Sequence, residues 1–170
     1  MATPDNFKAL TRPSGAFAML AIDQRESMRA MFAQTQKTLV SDRQITDFKL
    51  AALRALTPLA SAVLIDRQFA WRAAIDQQVV APGCGLIAAA DEFIPSDDEI
   101  VSEVRLDEAV DPRAVKSDGA VALKLLVLWR PDESAEARQR MVQDFVTRCR
   151  QAGLVSIIEP VSRKPRDGRP

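Results

Sequence analysis

The sequence contains no histidine, and this absence removes several kinds of active site. A Ser-His-Asp triad, a Cys-His nucleophile pair and a zinc site with histidine ligands all require an imidazole. Any chemistry must therefore rest on lysine, carboxylates, arginine and backbone dipoles. Lysine is itself scarce, with six residues, and the sequence pattern assigns five of them to polar or helical segments: Lys8, Lys37, Lys49, Lys116 and Lys164.

Cysteine is rare and net charge is absent. Cys84 and Cys149 stand far apart and form no CxxC motif, so we expect free thiols rather than a disulfide. The 23 basic and 23 acidic residues cancel, which leaves no global field to attract nucleic acid or an anionic membrane. The basic stretch at 163–169 is local, and we interpret it as a solvated end.

Long hydrophobic runs are missing as well. The first ten residues, MATPDNFKAL, lack the apolar centre of a signal peptide, and no run reaches transmembrane length. Hydrophobic residues still make up 47% of the 170 residues, which is enough for one buried core. We therefore expect one soluble, cytoplasmic domain that binds neither nucleic acid nor a membrane.

What the chain does contain is a series of short apolar runs with the length of β-strands. Nearly continuous apolar strands are typical of parallel sheets that are covered on both faces. Helical patterns separate the runs, and this alternation predicts an α/β fold with right-handed crossovers. The five predicted strands occupy residues 16–23, 61–66, 85–90, 121–129 and 154–159.

The helices between these strands are marked by their caps and by their apolar period. Residues 41–60 begin with a Ser and a Gln in capping-box spacing and continue with a helical pattern. Asp and Pro begin a short helix within 111–119, and Gly ends it. Apolar residues at every fourth position predict a long helix up to Gly153. Smaller features are a short helix around 71–77 and an excursion around 100–106.

Acidic residues at strand ends are the candidates for a site. Parallel sheets bind ligands at the carboxyl ends of their strands, and Asp23, Asp66, Asp91 and Glu159 lie at or near four such ends. For Asp66 and Asp91, helix capping or solvation in a loop is the simpler interpretation. Asp23 is equally compatible with a structural salt bridge to a nearby arginine. Glu159 precedes a proline, which holds it extended, and we favour a functional role for it.

Lys124 lies in the middle of the apolar run VALKLLVLW, residues 121–129. Such a lysine is either an amine whose pKa is lowered by desolvation or an amine that a carboxylate holds. A buried ion pair with Glu159 that only holds the sheet together is the structural alternative. Because desolvation offsets the attraction in such pairs, they stabilise a fold poorly. We therefore favour a functional role for Lys124 as well.

Long stretches of the sequence resemble the class I ketose-phosphate aldolases, in register from about residue 8 to residue 168. Within that family the resemblance is greatest to the sulfofructose phosphate aldolases of sulfoglycolysis, with the tagatose bisphosphate aldolases as near relatives. The length of these stretches makes the resemblance specific. They are RPSGAFAMLAIDQRE (12–26), TDFKLAALRALTPLASAVLIDRQF (46–69), GLIAAADEF (85–93), AVKSDGAVALKLLVLWRPDE (114–133) and GLVSIIEPVSRKPR (153–166).

The resemblance implies a (β/α)₈ barrel of the TIM type, with strands in the order 1-2-3-4-5 and helices on the outer face only. A complete barrel needs about 250 residues. We therefore expect a single partial barrel domain over residues 1–170, truncated after strand five, with strands six to eight absent. The full-length protein would be a homo-oligomer. A receiver-type signalling domain is the alternative fold, and it is disfavoured because Asp23 precedes Gln24 rather than a second acid.

The resemblance also implies a reaction and the residues that serve it. The expected reaction cleaves sulfofructose 1-phosphate to dihydroxyacetone phosphate and sulfolactaldehyde through a Schiff base, without a metal or another cofactor. Tagatose 1,6-bisphosphate as substrate and an inactive fragment are the alternatives. Glu159 corresponds to the acid/base and Lys124 to a catalytic, substrate-orienting amine, while Asp23 and Gln24 correspond to substrate-binding residues. The family's Schiff-base lysine lies on strand six and has no counterpart in this sequence.

Overall fold

Parallel strands form the centre of the computed structural model, which describes residues 5–166. In chain order the strands are β1 (Met19–Ala21), β2 (Ala62–Ile65), β3 (Gly85–Ala89), β4 (Asp91–Ile94), β5 (Glu103–Leu106), β6 (Ala120–Trp129) and β7 (Val155–Ser162). The helices are α1 (Asp5–Lys8), α2 (Glu26–Ala33), α3 (Asp42–Leu56), α4 (Arg72–Asp76), α5 (Pro112–Ser117) and α6 (Ala135–Ala152).

The main sheet has the strand order β1-β2-β3-β6-β7, and every neighbouring pair in it is parallel. These strands are the five that the sequence predicts, in the predicted order, so the α/β class and the parallel sheet are confirmed. The sheet curls into a half-barrel. Its longest pairing joins β6 to β7 and runs from Ala122 opposite Val155 to Trp129 opposite Ser162.

The two faces of the half-barrel bury different sets of residues. Because side chains alternate along a strand, residues two apart share a face. On the outer face, strand residues such as Val63 and Leu123 pack in one large core with helix residues such as Ile45 and Phe145. The inner face carries a smaller apolar cluster. Its buried members are Leu10, Ala62, Leu64, Ile87, Ala89 and Ala122.

Gly85 begins β3 at a point where the chain that precedes β1 touches the sheet. A Cβ atom at this position would lie 2.2 Å from the carbonyl oxygen of Ala9, so only glycine permits this approach. The approach brings Leu10 onto the inner face, where it is almost completely buried. Leu10 therefore closes the amino-terminal end of the inner face and leaves the carboxyl end for a site.

The segment between β3 and α5 differs most from the sequence prediction. An excursion around 100–106 is predicted, but the structure has an antiparallel hairpin in which β4 pairs with β5, from Asp91 opposite Leu106 to Ile94 opposite Glu103. The hairpin holds its place because Val104 and Leu106 pack against the outer core. Its first strand starts directly after β3, so the hairpin stands over the carboxyl end of the sheet.

Local signals in the sequence set the helix boundaries well. The side chain of Ser41 accepts a hydrogen bond from the backbone of Gln44 at the start of α3, and Asp111 accepts one from Arg113 at the start of α5. Gly153 ends α6 in the left-handed conformation, with φ of 67°. A π-turn over Arg67–Trp71 precedes α4, where only a short helix is predicted. Within residues 5–166, no helix has the length and hydrophobicity needed to span a membrane.

Candidate active site

Lys124 lies near the middle of β6 on the inner face of the half-barrel, with 2% of its surface exposed. Its Nζ atom is 2.7 Å from Oδ2 of Asp23, 3.0 Å from Oδ2 of Asp91 and 3.0 Å from Oε2 of Glu159. An ammonium group has three N–H donors, and here three carboxylates surround it. We call these four residues the lysine cluster.

Parallel strands bring the cluster together from distant parts of the chain. Asp23 follows β1, Asp91 follows β3, and Glu159 lies in β7, where it faces Leu126 of β6. The carboxyl ends of neighbouring parallel strands share one edge of the sheet, so acids at these ends converge. The predicted contact between Lys124 and Glu159 is present. The cluster also contains an acid that the sequence interpretation assigned to capping or to a solvated loop.

That acid is Asp91, which is completely buried. Its Oδ2 accepts hydrogen bonds from Lys124 Nζ and from the backbone N of Leu126, and its Oδ1 accepts one from Arg25 at 2.7 Å. A second donor of Arg25 reaches the Asp91 carbonyl at 2.6 Å, and its guanidinium lies 4.4 Å from the centre of the Phe93 ring. The capping interpretation of Asp91 is therefore wrong, because its side chain accepts from a buried arginine, a buried lysine and a strand backbone rather than from the start of a helix.

Asp23 does not form the arginine salt bridge that the sequence left open. It pairs with Lys124, whereas Arg25 pairs with Asp91 and Arg67 pairs with Asp107. The interpretation of Asp23 as the partner of a nearby arginine is therefore wrong, because its cation is Lys124 of β6. The side chain of Asp23 is 11% exposed, whereas that of Glu159 is 50% exposed. Glu159 is the acid of the cluster that solvent reaches most easily.

A second buried lysine lies beside the cluster. Lys49 of α3 is fully buried and pairs with Asp66, whose side chain also accepts from the backbone of Phe69 and caps the π-turn. The capping interpretation of Asp66 is confirmed, and Lys49 lies in a helical segment as predicted, although its burial is not predicted. Position 49 falls between Ile45 and Leu53 on the buried stripe of α3, and the helical period could have revealed this.

The pKa values of the two buried lysines are shifted in opposite directions. Burial lowers the pKa of Lys49, and the charge of Asp66 opposes this only in part. Burial also acts to lower the pKa of Lys124, but the charges of Asp91 and Asp23 and the hydrogen bonds to Asp23 and Glu159 outweigh it and raise the pKa above 10.5. Of the two states that the sequence left open for Lys124, the structure therefore shows the charged one.

A cleft of about 510 Å³ opens above the cluster. Gln24 is half-buried and lines this cleft together with Asp23, Lys124 and Glu159, so the four predicted site residues face one cavity. The connection between β4 and β5 forms the opposite wall, at residues 98–101. Among the described residues, no group of three or more carboxylate or thiol side chains is arranged to hold a metal ion.

Part of the basic end of the chain belongs to this cleft as well. Arg163 lines it, and Arg166 pairs with Glu133 at 2.8 Å and donates a hydrogen bond to Ser102 Oγ. Arg163 and Arg166 are exposed, as expected for a solvated end, but Arg163 also lines the cleft and Arg166 is paired; positions 167–169 lie outside the described residues. The hairpin approaches Arg166 through Ser102, a contact that no local sequence signal predicts.

Comparison with known proteins now adds a family to this geometry. The model of the DeoC/LacD family aldolases matches residues 17–169. The chain belongs to this aldolase family. The matched range includes every strand of the half-barrel and all four residues of the lysine cluster.

Several curated relatives of this aldolase-family chain are tagatose 1,6-diphosphate aldolases. One from Listeria monocytogenes strain HCC23 is 27% identical over 164 residues, which are 93% of this chain and 46% of the relative. Tagatose 1,6-diphosphate aldolase 1 of Enterococcus faecalis is 31% identical over 159 residues, 90% of this chain and 46% of the relative. The chain thus spans about half the length of these curated relatives.

We expect the lysine cluster to contribute unequally to the stability of the half-barrel. K124M leaves Asp91 and Asp23 buried without their shared cation, and the free energy of unfolding should fall by about 3–5 kcal/mol. E159Q should lower it by less than about 1 kcal/mol, because Glu159 is half exposed. Urea unfolding of both variants measures the difference. K37M, which changes an exposed lysine outside the cluster, is the control. Equal stability of K124M and the wild-type chain would contradict this expectation.

Proposed function

We propose that the half-barrel supplies the acid/base part of a class I aldolase site, which cleaves a ketose phosphate to dihydroxyacetone phosphate and an aldehyde. The observation that supports this most directly is the contact between the half-exposed Glu159 and the buried, charged Lys124 at the floor of an open cleft. Membership in the DeoC/LacD family and the names of the relatives agree with the proposal.

In this proposal, Glu159 moves the proton. Cleavage of the carbon–carbon bond of a ketose requires a base for the hydroxyl proton and an acid for the carbanion that forms. A group with this task must lie within hydrogen-bond reach of the substrate. Of the three acids in the cluster, Asp91 is fully buried and Asp23 nearly so, whereas Glu159 reaches the cleft. Lys124 holds Glu159 in position and stabilises negative charge at the reacting centre.

The remaining cleft residues would orient the substrate. Gln24 offers both donor and acceptor groups from the loop after β1, which suits the hydroxyl and keto groups of a sugar. Asp23 stays bound to Lys124 and accepts from hydroxyl groups with its remaining lone pairs. Neither residue gives up a buried ion pair when it contacts a ligand.

Neither buried lysine is proposed as the Schiff-base nucleophile. That nucleophile must be an unprotonated amine next to the bound ketone. Lys124 is held charged by three carboxylates, and Lys49 is fully buried behind Phe69 and Asp66. We propose that residues 1–170 form the first five strands of a (β/α)₈ barrel and that the Schiff base forms on a lysine of strand six.

Two substrates are compatible with the proposal. The names of the curated relatives support tagatose 1,6-bisphosphate. Sulfofructose 1-phosphate remains a prediction from the resemblance alone. Both are ketose 1-phosphates that would be cleaved between C3 and C4; they differ in the anionic group at C6 and in the configuration of the hydroxyl at C4, whose proton Glu159 would move.

A chimera tests the proposed function. Residues 1–166 would be joined to the segment of the Enterococcus faecalis relative that follows its matched part, which supplies further strands. We expect the chimera to cleave tagatose 1,6-bisphosphate in an assay coupled to the release of dihydroxyacetone phosphate. E159Q should lower kcat by about 10²- to 10⁴-fold, the usual contribution of a general acid/base.

The chimera has a matched control and a clear opposite outcome. E136Q makes the same chemical change at a glutamate of α6 whose side chain is 80% exposed, and it should leave kcat unchanged. Circular dichroism and sedimentation verify folding against the intact relative. A folded chimera that does not cleave the bisphosphate would refute the proposed function. An active chimera that tolerates E159Q would refute the assigned role of Glu159.

The 170-residue chain by itself should form no Schiff base. Incubation with dihydroxyacetone phosphate and borohydride, followed by peptide mass mapping, should leave Lys124 unmodified near neutral pH because its raised pKa keeps it protonated. Acetylation of exposed lysines under the same mapping protocol verifies that lysine adducts are detected. A stoichiometric adduct on Lys124 would show that the carboxylates release it and that it is the nucleophile.

A further inference from the structure

Lys124, the cation at the floor of the cleft, is already fully engaged. Lys124 has three carboxylate oxygens within 3.0 Å, and an ammonium has only three donors. Arg25 donates to the side chain and to the carbonyl of Asp91 and stacks on Phe93. An incoming phosphate would therefore find no free donor on Lys124, and Arg25 is not among the residues that line the cleft, although a sugar hydroxyl can share the half-exposed Glu159.

Three arginines lie close to the upper part of the cleft, and two of them are paired. Arg130 is buried and contacts Glu99 at 2.5 Å and the carbonyl of Lys164 at 2.6 Å. Arg166 contacts Glu133 and Ser102. The guanidinium of Arg163 has no ion pair or side-chain hydrogen bond within residues 5–166, and it lines the cleft. It is the cation of this wall that is available to a ligand.

The backbone positions Arg163 on the same side of β7 as Glu159. Its N–H donates to the carbonyl of Trp129 at 2.8 Å, so the pairing with β6 continues past the end of β7 at Ser162. Arg163 follows Glu159 by four residues, which places their Cα atoms about 13 Å apart at about 3.3 Å per residue. Because both side chains line the cleft, the part of a six-carbon ketose beyond the reacting bond, three carbons and an anionic end group, can extend between them.

We infer that Arg163 binds the terminal oxyanion, a phosphate or a sulfonate, of the ketose whose reacting carbons lie at Glu159. The inference rests on the proposed function and adds a specificity-determining residue to it. A guanidinium presents a planar fork of donors that matches two oxygens of such a group. The rest of the cleft is lined mainly by acids, which are Asp23, Asp98, Glu99 and Glu159. These carboxylates repel an anionic end group, whereas Arg163 attracts it.

The test is a ligand titration of the 170-residue chain at low ionic strength, with the Arg163 guanidinium signal followed by NMR and affinity measured by calorimetry. The probes are tagatose 1,6-bisphosphate, inorganic phosphate and inorganic sulfate, the last two representing the two kinds of oxyanion. We expect all three to shift the Arg163 Nε–Hε signal, which is assigned by its loss in R163Q. R163Q should weaken bisphosphate binding about tenfold or more, and R163K by a smaller factor. R140Q, at a largely exposed arginine of α6, should change nothing.

The possible outcomes separate the inference from the proposed function. Bisphosphate binding that R163Q leaves unchanged would overturn the role of Arg163 and leave the aldolase proposal standing. A signal that moves with phosphate or sulfate but not with the bisphosphate would retain the oxyanion site and contradict the ketose phosphate as ligand. A signal that none of the probes moves would overturn the inference, while the chimera assay decides the proposed function independently. The ratio of phosphate to sulfate affinity shows which oxyanion Arg163 prefers.

Discussion

A single buried ammonium group determines how the carboxyl ends of the sheet are arranged. Lys124 binds one acid from the loop after β1, one from the residue after β3 and one from β7. Removing each of these charges from water costs several kcal/mol, and the interaction offsets this only when all partners are in place. The same contacts that define the cleft therefore also restrain the three segments that form it.

The acids of the cluster differ in exposure, and this difference distinguishes the acid that only holds the fold together from the acid that a ligand can reach. Asp91, the first residue of β4, is completely buried and bound by Lys124, Arg25 and a backbone N–H, so solvent does not reach it. Glu159 shares the same lysine but has half of its side chain exposed. In the proposed mechanism, Glu159 moves a proton while Asp91 stays bound to the lysine. The asymmetry arises because Asp91, at the start of β4, is enclosed by its partners Arg25, Lys124 and Leu126, whereas Glu159 lines the cleft.

The strand order is predicted by the alternation of strand and helix patterns together with the family resemblance. The contact between Lys124 and Glu159 is predicted because the two residues lie on neighbouring strands. The sequence does not predict the place of Asp91, because the burial of this acid depends on partners that are distant in sequence, Arg25 and Lys124. Lys49 illustrates the opposite case: its position on the apolar stripe of α3 was visible, but its partner Asp66 lies 17 residues away. The sequence does not predict that Arg163 lines the cleft, because its position depends on the pairing of β7 with β6, which continues to the backbone of Arg163.

The charge state of Lys124 is the central claim of this account, and NMR of the lysine side-chain amines measures it most directly. In a pH titration of the folded chain, with the Lys124 signal assigned by its absence in K124R, the amine should stay protonated at about pH 10.4, where an unperturbed lysine is half titrated. Its contribution to stability should persist at lower pH and disappear only as the pH rises through the raised pKa. A Lys124 amine that loses its proton at or below pH 10.4 in the folded chain would contradict the account.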